Sequence, residues 1–238
     1  MSYSFESRVR FSEAGEDGCL TLPGIMDYFQ DVCTFQADSI HQGQRDLYKR
    51  GRVWVLSSWQ VIVNRYPAYG EKIITTTYPY DLRGFLGLRN FSMDTSDGER
   101  IALANSYWSF LDIHTGLPVR LTPRDLEGYV VDEKLDMDYA PRKIELPGEM
   151  TFLEPFEVQK HHLDSNHHVN NCQYVYLAME YLEERIKVKQ IRTEYKAQGR
   201  LGDLFYPAVF IEKGKAFVAF YDKENNPYFL AELYYNAE

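Results

Sequence analysis

The sequence predicts an α+β protein made of two similar modules, each a curled antiparallel sheet wrapped around one long helix. Three observations predict it. Aromatic residues are abundant, with 19 Tyr, 14 Phe and 3 Trp in 238 residues, and many stand in alternating runs that suit half-buried strands. Two segments break that alternation with apolar side chains at three- and four-residue steps, the period of a helix. The order of strand, helix and following strands then occurs twice along the chain.

In the first half, Ile25, Phe29, Val32, Cys33, Gln36 and Ile40 carry the helical period. Thr21 and Pro23 stand where a helix starts, Thr as a cap and Pro at a first-turn position. Strands are predicted for residues 54–63, 70–78, 85–93, 101–112 and 117–121. Asp97-Gly98 and His114-Thr115-Gly116 supply turns between them. In the second half, residues 156–162 lead into a helix marked by Tyr174, Leu177, Ala178, Tyr181 and Leu182. Strands over 189–198, 204–212, 215–222 and 228–236 follow, with Asn225-Asn226-Pro227 as a turn. Matching the two helix starts sets Asp17 opposite Asn166 and Leu20 opposite Val169, an offset of 149. The stretch from Pro123 to Gly148 is rich in Pro and acidic residues and reads as a linker or strap. The expected organisation is an N-terminal module over 1–130, a linker over 131–150 and a C-terminal module over 151–238.

Composition narrows the function. A formal charge of -9 argues against bulk nucleic-acid binding. Three cysteines, Cys19, Cys33 and Cys172, form no CxxC pair, so a disulfide framework or zinc knuckle is not expected and a reducing compartment fits. The chain opens without a signal-peptide pattern and holds no apolar run near the ~20 residues of a membrane span. A soluble cytoplasmic protein is expected.

The densest chemistry lies in His161-His-Leu-Asp-Ser-Asn-His-His-Val-Asn-Asn171, which holds four of the six histidines. Asp164, Asn166 and His168 are spaced i, i+2, i+4 and share a face if the chain is extended there. Asn170 or Asn171 caps the helix that follows, with Gln173 placed for a capping box. Polar side chains thus converge on a helix N-terminus, which favours developing negative charge such as the oxyanion of acyl transfer. A plain cap and turn accounts for such a run equally well. A metal site lacks an HExxH or Cys partner, and Cys172 is a thiol at a helix start whose ordinary role is packing. Glu194, in Ile191-Arg-Thr-Glu-Tyr-Lys196, is either an exposed-face residue or a general base whose pKa burial would raise. There is no GxSxG elbow.

Taken together, Trp54-Val55, Arg65-Tyr66-Pro67 with Gly70-Glu71, Ser106 and Trp108 with Asp112 and Thr115, and Asp164-x-Asn166-x-His168-Val169-Asn170-Asn171 resemble the acyl-acyl-carrier-protein thioesterases in their bacterial form. The resemblance implies a tandem (double) hotdog fold with the active site in the C-terminal module and an acyl pocket shaped by the N-terminal one. It implies hydrolysis of fatty acyl-acyl-carrier-protein thioesters to free fatty acid, with no cofactor and no metal. The family's catalytic Asp, Asn and His fall on Asp164, Asn166 and His168. Its RREC motif falls on Arg192-Thr193-Glu194-Tyr195, where Tyr195 replaces the cysteine, so no cysteine nucleophile operates there. Water activation by Glu194 with His168 is expected, with Asn166 and the helix start at Asn171 holding the carbonyl and Asp164 orienting the network. Ile25, Phe29 and Val32 are expected to line the acyl pocket. The carrier protein is acidic, so two basic groups are candidates for docking it: Arg45, Lys49, Arg50 and Arg52, and Arg192, Lys196 and Arg200. A monomer or homodimer is expected. An acyl-CoA thioesterase, a hotdog hydratase and a non-catalytic acyl-binding module are the alternatives.

Overall fold

A computed structural model describes residues 2–183 and 186–236 of the chain. Its packing divides it into two units, residues 1–57 with 61–139 and residues 58–60 with 140–238.

The first unit holds β1 (Tyr3–Arg8), α1 (Leu22–Ser39), α2 (Gln44–Lys49), β2 (Arg52–Val63), β3 (Lys72–Arg83), β4 (Leu86–Thr95), β5 (Arg100–Asp112) and the short α3 (Pro123–Leu126). The strands lie in the order β1-β3-β4-β5-β2, and the pairs β1–β3, β3–β4 and β4–β5 are antiparallel. Thr21 caps α1, its hydroxyl accepting from Gly24 N–H at 3.1 Å, and Pro23 sits in the first turn. The buried face of α1 carries Ile25, Met26, Phe29, Val32, Cys33 and Gln36 and packs on β1, β3 and β4. Phe29 meets Phe91 of β4 at 5.4 Å between ring centroids.

The second unit holds β6 (Thr151–Phe152), β7 (Phe156–Glu157), α4 (Asn171–Met179), β8 (Val188–Tyr195), β9 (Leu204–Glu212), β10 (Lys215–Tyr221) and β11 (Pro227–Tyr235). Its strand order is β8-β11-β10-β9-β6, with β7 also on β9. Tyr174 of α4 stacks on Phe205 and Phe229, and Phe220 stacks on both of those rings. Rings of this size dominate the burial energy of a small core.

Three elements differ from the sequence expectation. Residues 117–121 form no regular strand and pair with the sheet through one isolated bridge, between Leu111 and Pro118. Proline lacks the N–H a ladder needs. Residues 156–162 extend only over β7 and then turn, because His162 Nδ1 accepts from Gln159 N–H at 3.0 Å and closes a 3₁₀ turn. The second helix has only nine residues. Tyr181 and Leu182 lie beyond it in tight i→i−3 turns to Ala178 and Met179.

The stretch read as a linker is a strap with specific anchors. In the first unit the buried Asn90 of β4 accepts from Leu135 N–H at 3.1 Å and from the Tyr139 hydroxyl at 2.9 Å. In the second, Ile144 is buried with Phe217, Ala219 and Leu230, flanked by Leu146 and Met150. Burying one such side chain contributes about 1.5–3 kcal/mol.

Candidate active site

The chain from Asp164 to His168 is a closed turn, not an extended strand. Asp164 N–H donates to the His168 carbonyl at 2.8 Å and His167 N–H to the Asp164 carbonyl at 3.1 Å. His167 takes φ +62°, a left-handed conformation that costs a non-glycine residue roughly 1–2 kcal/mol. Asp164 organises the turn from within. Its Oδ1 accepts from the backbone N–H of Asn166 at 2.8 Å and of His168 at 3.4 Å, and its Oδ2 accepts from Asn166 Nδ2 at 3.2 Å. Asp164, Asn166 and His168 are therefore brought together by a turn built around the aspartate, rather than by strand alternation.

Two bonds tie this turn to the core. Val169 N–H donates to the Gly199 carbonyl at 2.9 Å, and Gly199 N–H donates to the Tyr174 hydroxyl at 2.9 Å. A Cβ at Gly199 would stand 2.5 Å from the Phe205 ring, so only glycine lets the backbone come this close. Sequence reasoning marks Tyr174 merely as an apolar helix position and misses Gly199. The Gly199-Arg-Leu-Gly202 turn composition is the available signal.

Asn170 caps α4, its Oδ1 accepting from Cys172 N–H at 2.8 Å, while Gln173 N–H donates to the Asn170 carbonyl at 3.0 Å. The cap thus takes two of the first-turn donors expected to face an oxyanion. Asn171 is the first helical residue, and its carbonyl accepts from the Tyr195 hydroxyl at 3.0 Å. Cys172 is buried in that first turn.

His168 is half-buried. Burial first, then the positive charge of Arg200, lower its pKa, against an opposing pull from Asp164. An imidazole held neutral in this way is ready to accept a proton near neutral pH. His162, buried beside His161, is also lowered, chiefly by burial. Among the described residues no group of His, Cys, Asp and Glu could hold a metal ion.

Glu194 stands elsewhere. Along β8, Tyr195 pairs in register with Phe229 and meets Tyr174 of α4, whereas Glu194 is paired with Leu230. Alternation therefore turns Glu194 to the sheet face away from α4. Its Oε1 accepts from Ile144 N–H of the strap at 2.6 Å, and Oε2 pairs with Lys196. Arg192, on the same face, donates to the Pro141 and Lys143 carbonyls and pairs with Glu232. Glu194 thus bonds the strap, while its neighbour Tyr195 is the residue of β8 that meets Tyr174 of α4.

The basic candidates divide likewise. Arg50 bonds Gln42 at 2.5 Å and Asp125 at 3.3 Å, and Arg52 pairs with Asp112 at 2.6 Å. With Arg192 and Lys196 also paired, these charges are already answered within the chain rather than forming open patches. Lys49 reaches Asp46 at 3.4 Å. Arg45 and Arg200 are exposed. Ile25, Phe29 and Val32 are all fully buried on the inner face of α1.

Two antiparallel strand arrays in tandem, each carrying a principal helix, with a polar turn at the start of the second helix, define a double hotdog protein. Solved structures of the same fold include an acyl-ACP thioesterase from Bacteroides thetaiotaomicron, at TM-score 0.88 and 17% identity over 99% of this chain and 98% of that one. A 12:0-ACP thioesterase from Umbellularia californica matches at TM-score 0.87 and 17% identity, over 100% and 98%. Residues 1–129 match the acyl-ACP thioesterase N-terminal domain and residues 147–206 the C-terminal domain. The chain belongs to the acyl-ACP thioesterase family. Among curated relatives, a chloroplastic acyl-[acyl-carrier-protein] hydrolase of Cuphea viscosissima is 26% identical over 70% of this chain and 44% of its own length. A chloroplastic palmitoyl-acyl carrier protein thioesterase of Arabidopsis thaliana is 24% identical over 80% and 50%. The chain spans about half the length of the curated relatives it matches.

Proposed function

We propose that this protein hydrolyses fatty acyl thioesters carried on acyl carrier protein, releasing the free acid and the carrier thiol. The observation that carries the reading is the Asp164–Asn166–His168 turn, gathered around one carboxylate in a chain of this family. His168 acts as the general base: it takes a proton from water as the oxygen attacks the thioester carbon. Asn166, fixed by Asp164 at both its backbone and its side chain, orients the carbonyl and stabilises the tetrahedral oxyanion. The imidazolium then returns the proton to the leaving thiolate. Asp164 holds the turn and does not attack. Ile25, Phe29 and Val32 line the acyl pocket, and Glu194 anchors the strap. Arg200, whose charge already acts on His168, is the basic side chain best placed to meet an acidic carrier close to the chemistry.

The test is thiol release from one acyl chain on acyl carrier protein and on coenzyme A, by wild type, His168→Ala, Asn166→Ala and Glu194→Gln. Turnover on the protein carrier, abolished by the first two changes and kept by the third, is expected. Equal loss on Glu194→Gln and His168→Ala would return the carboxylate to the chemistry, and preference for coenzyme A would replace the carrier.

A further inference from the structure

The inner faces of the two units differ in kind. Beneath α4 the second unit is filled by the rings of Tyr174, Phe205, Phe220 and Phe229. Beneath α1 the first unit begins apolar, with Phe29 against Phe91, and then turns polar. Strand alternation places Arg89 on the same face of β4 as Phe91 and Met93, and Thr75 and Thr77 on the same face of β3. Arg89 is only 7% exposed. Its Nη1 donates to Gln36 Oε1 at 2.5 Å and to Thr77 Oγ1 at 3.0 Å, and its guanidinium lies 5.4 Å from the Tyr129 ring centre. All of these partners are neutral, and among the described residues no carboxylate pairs with it. Thr75, two residues along β3 from Thr77, has a fully buried hydroxyl with no hydrogen-bond partner.

A buried cation is ordinarily paired, and a buried hydroxyl is ordinarily bonded. Two departures on one inner face, Arg89 on one side of the Thr77–Phe91 pair and Thr75 on the other, have a common remedy in a ligand oxygen. We infer that the acyl chain taken by this protein carries an oxygen function, a hydroxyl or oxo group, away from its thioester end, received by Arg89 and Thr75. A saturated chain of the same length leaves both groups as they are and gains nothing from them. This rests on the proposed acyl pocket and names the substrate class it selects. A polar site of this kind discriminates by rejecting the analogue that lacks the oxygen.

The experiment measures binding by calorimetry, so that it does not depend on turnover. Saturated fatty acids from decanoic to octadecanoic acid and their ω-hydroxy counterparts are titrated into wild type, Arg89→Met, Arg89→Lys and Thr75→Val. Wild type is expected to bind the ω-hydroxy acid of one chain length at least about tenfold tighter than its saturated partner. Arg89→Met, close in volume, should abolish that preference, and Arg89→Lys should keep part of it. Thr75→Val is nearly isosteric and removes an unbonded group, so it should fold as well as wild type while weakening the preference. Equal binding of both series to wild type, or a preference that survives Arg89→Met and Thr75→Val, overturns the inference. Failure of wild type to release thiol from any acyl thioester would overturn the proposed hydrolysis instead, leaving the binding result to stand by itself.

Discussion

The turn before α1 and the turn before α4 have one backbone and two vocabularies. In the first, Gly15 N–H donates to the Cys19 carbonyl at 2.8 Å; in the second, Asp164 N–H donates to the His168 carbonyl at 2.8 Å. Bridges Ala14–Leu20 and Leu163–Val169 close them, and Gly18 at φ +72° corresponds to His167 at φ +62°. Thr21 and Asn170 cap the helices. Leu20 N–H is held by the Pro67 carbonyl where Val169 N–H is held by that of Gly199. Every correspondence keeps the offset of 149 apart from that last pair. What differs is the set of side chains: Gly15, Asp17 and Cys19 stand where Asp164, Asn166 and His168 do. The fold thus supplies one backbone frame twice, and the Asp164, Asn166 and His168 side chains stand on only one copy.

The largest expected effect breaks the comparison by making the second turn resemble the first. His168→Ala should lower kcat/KM by about 10²–10⁴-fold and Asn166→Ala by about 10²–10³-fold, read by thiol release with far-UV circular dichroism unchanged. The contrast between Gly199 and Pro67 comes next. Gly199→Ala forces a methyl to 2.5 Å from the Phe205 ring and 2.9 Å from the Tyr174 hydroxyl. A loss of about 1–3 kcal/mol in urea unfolding is expected, with turnover falling as the turn shifts. Glu194→Ala strips the strap of its acceptor for Ile144 N–H and should cost about 1–3 kcal/mol. Glu194→Gln keeps an oxygen there and should hold turnover within about tenfold of wild type.

The charge near the second turn has no counterpart in the first, where Ala68 follows Pro67. Arg200 disfavours the imidazolium form of His168, lowering its pKa. A base works when neutral, so kcat/KM should rise with pH through a value below the ordinary ~6.5 of histidine. Arg200→Gln removes the repulsion, so the acid limb of the profile should move to higher pH; a limb that stays put or moves lower counts against His168 as the base. The smallest effect sharpens the likeness instead. Thr21→Ala and Asn170→Ala should each cost about 1 kcal/mol, because each removes one side-chain acceptor from a helix start. Thermal unfolding of the pair would show whether the two frames are energetically alike.

Much of the frame is legible in the sequence because its signals are local. Thr21 and Pro23 mark a helix start by their own chemistry, and α1 obeys the apolar period that predicts it. Strand β9 runs from Leu204 to Glu212 as its alternation indicates, and Asn225 takes the positive φ its turn requires. Asp164, Asn166 and His168 are legible as a group, but the reason for their meeting is not. Alternation is the expected cause, whereas Asp164 folds the chain back on itself by accepting three hydrogen bonds. The strap's anchors escape sequence reading because Asn90, Arg192 and Glu194 lie roughly 45 to 50 residues away along the chain. No short window contains both partners.

The sequence by itself determined the class of fold, the double occurrence of helix and strands, and the grouping of Asp164, Asn166 and His168 ahead of the second helix. Those depend on period, capping and residue type, which are properties of neighbours in the chain. Tertiary structure alone decided that Glu194 faces the strap, that Gly199 ties the polar turn to the Tyr174 hydroxyl, and that Arg89 is buried among neutral partners. Each of these turns on which face of a sheet meets which distant segment, and a strand's pattern of residues leaves the partner across that face unspecified.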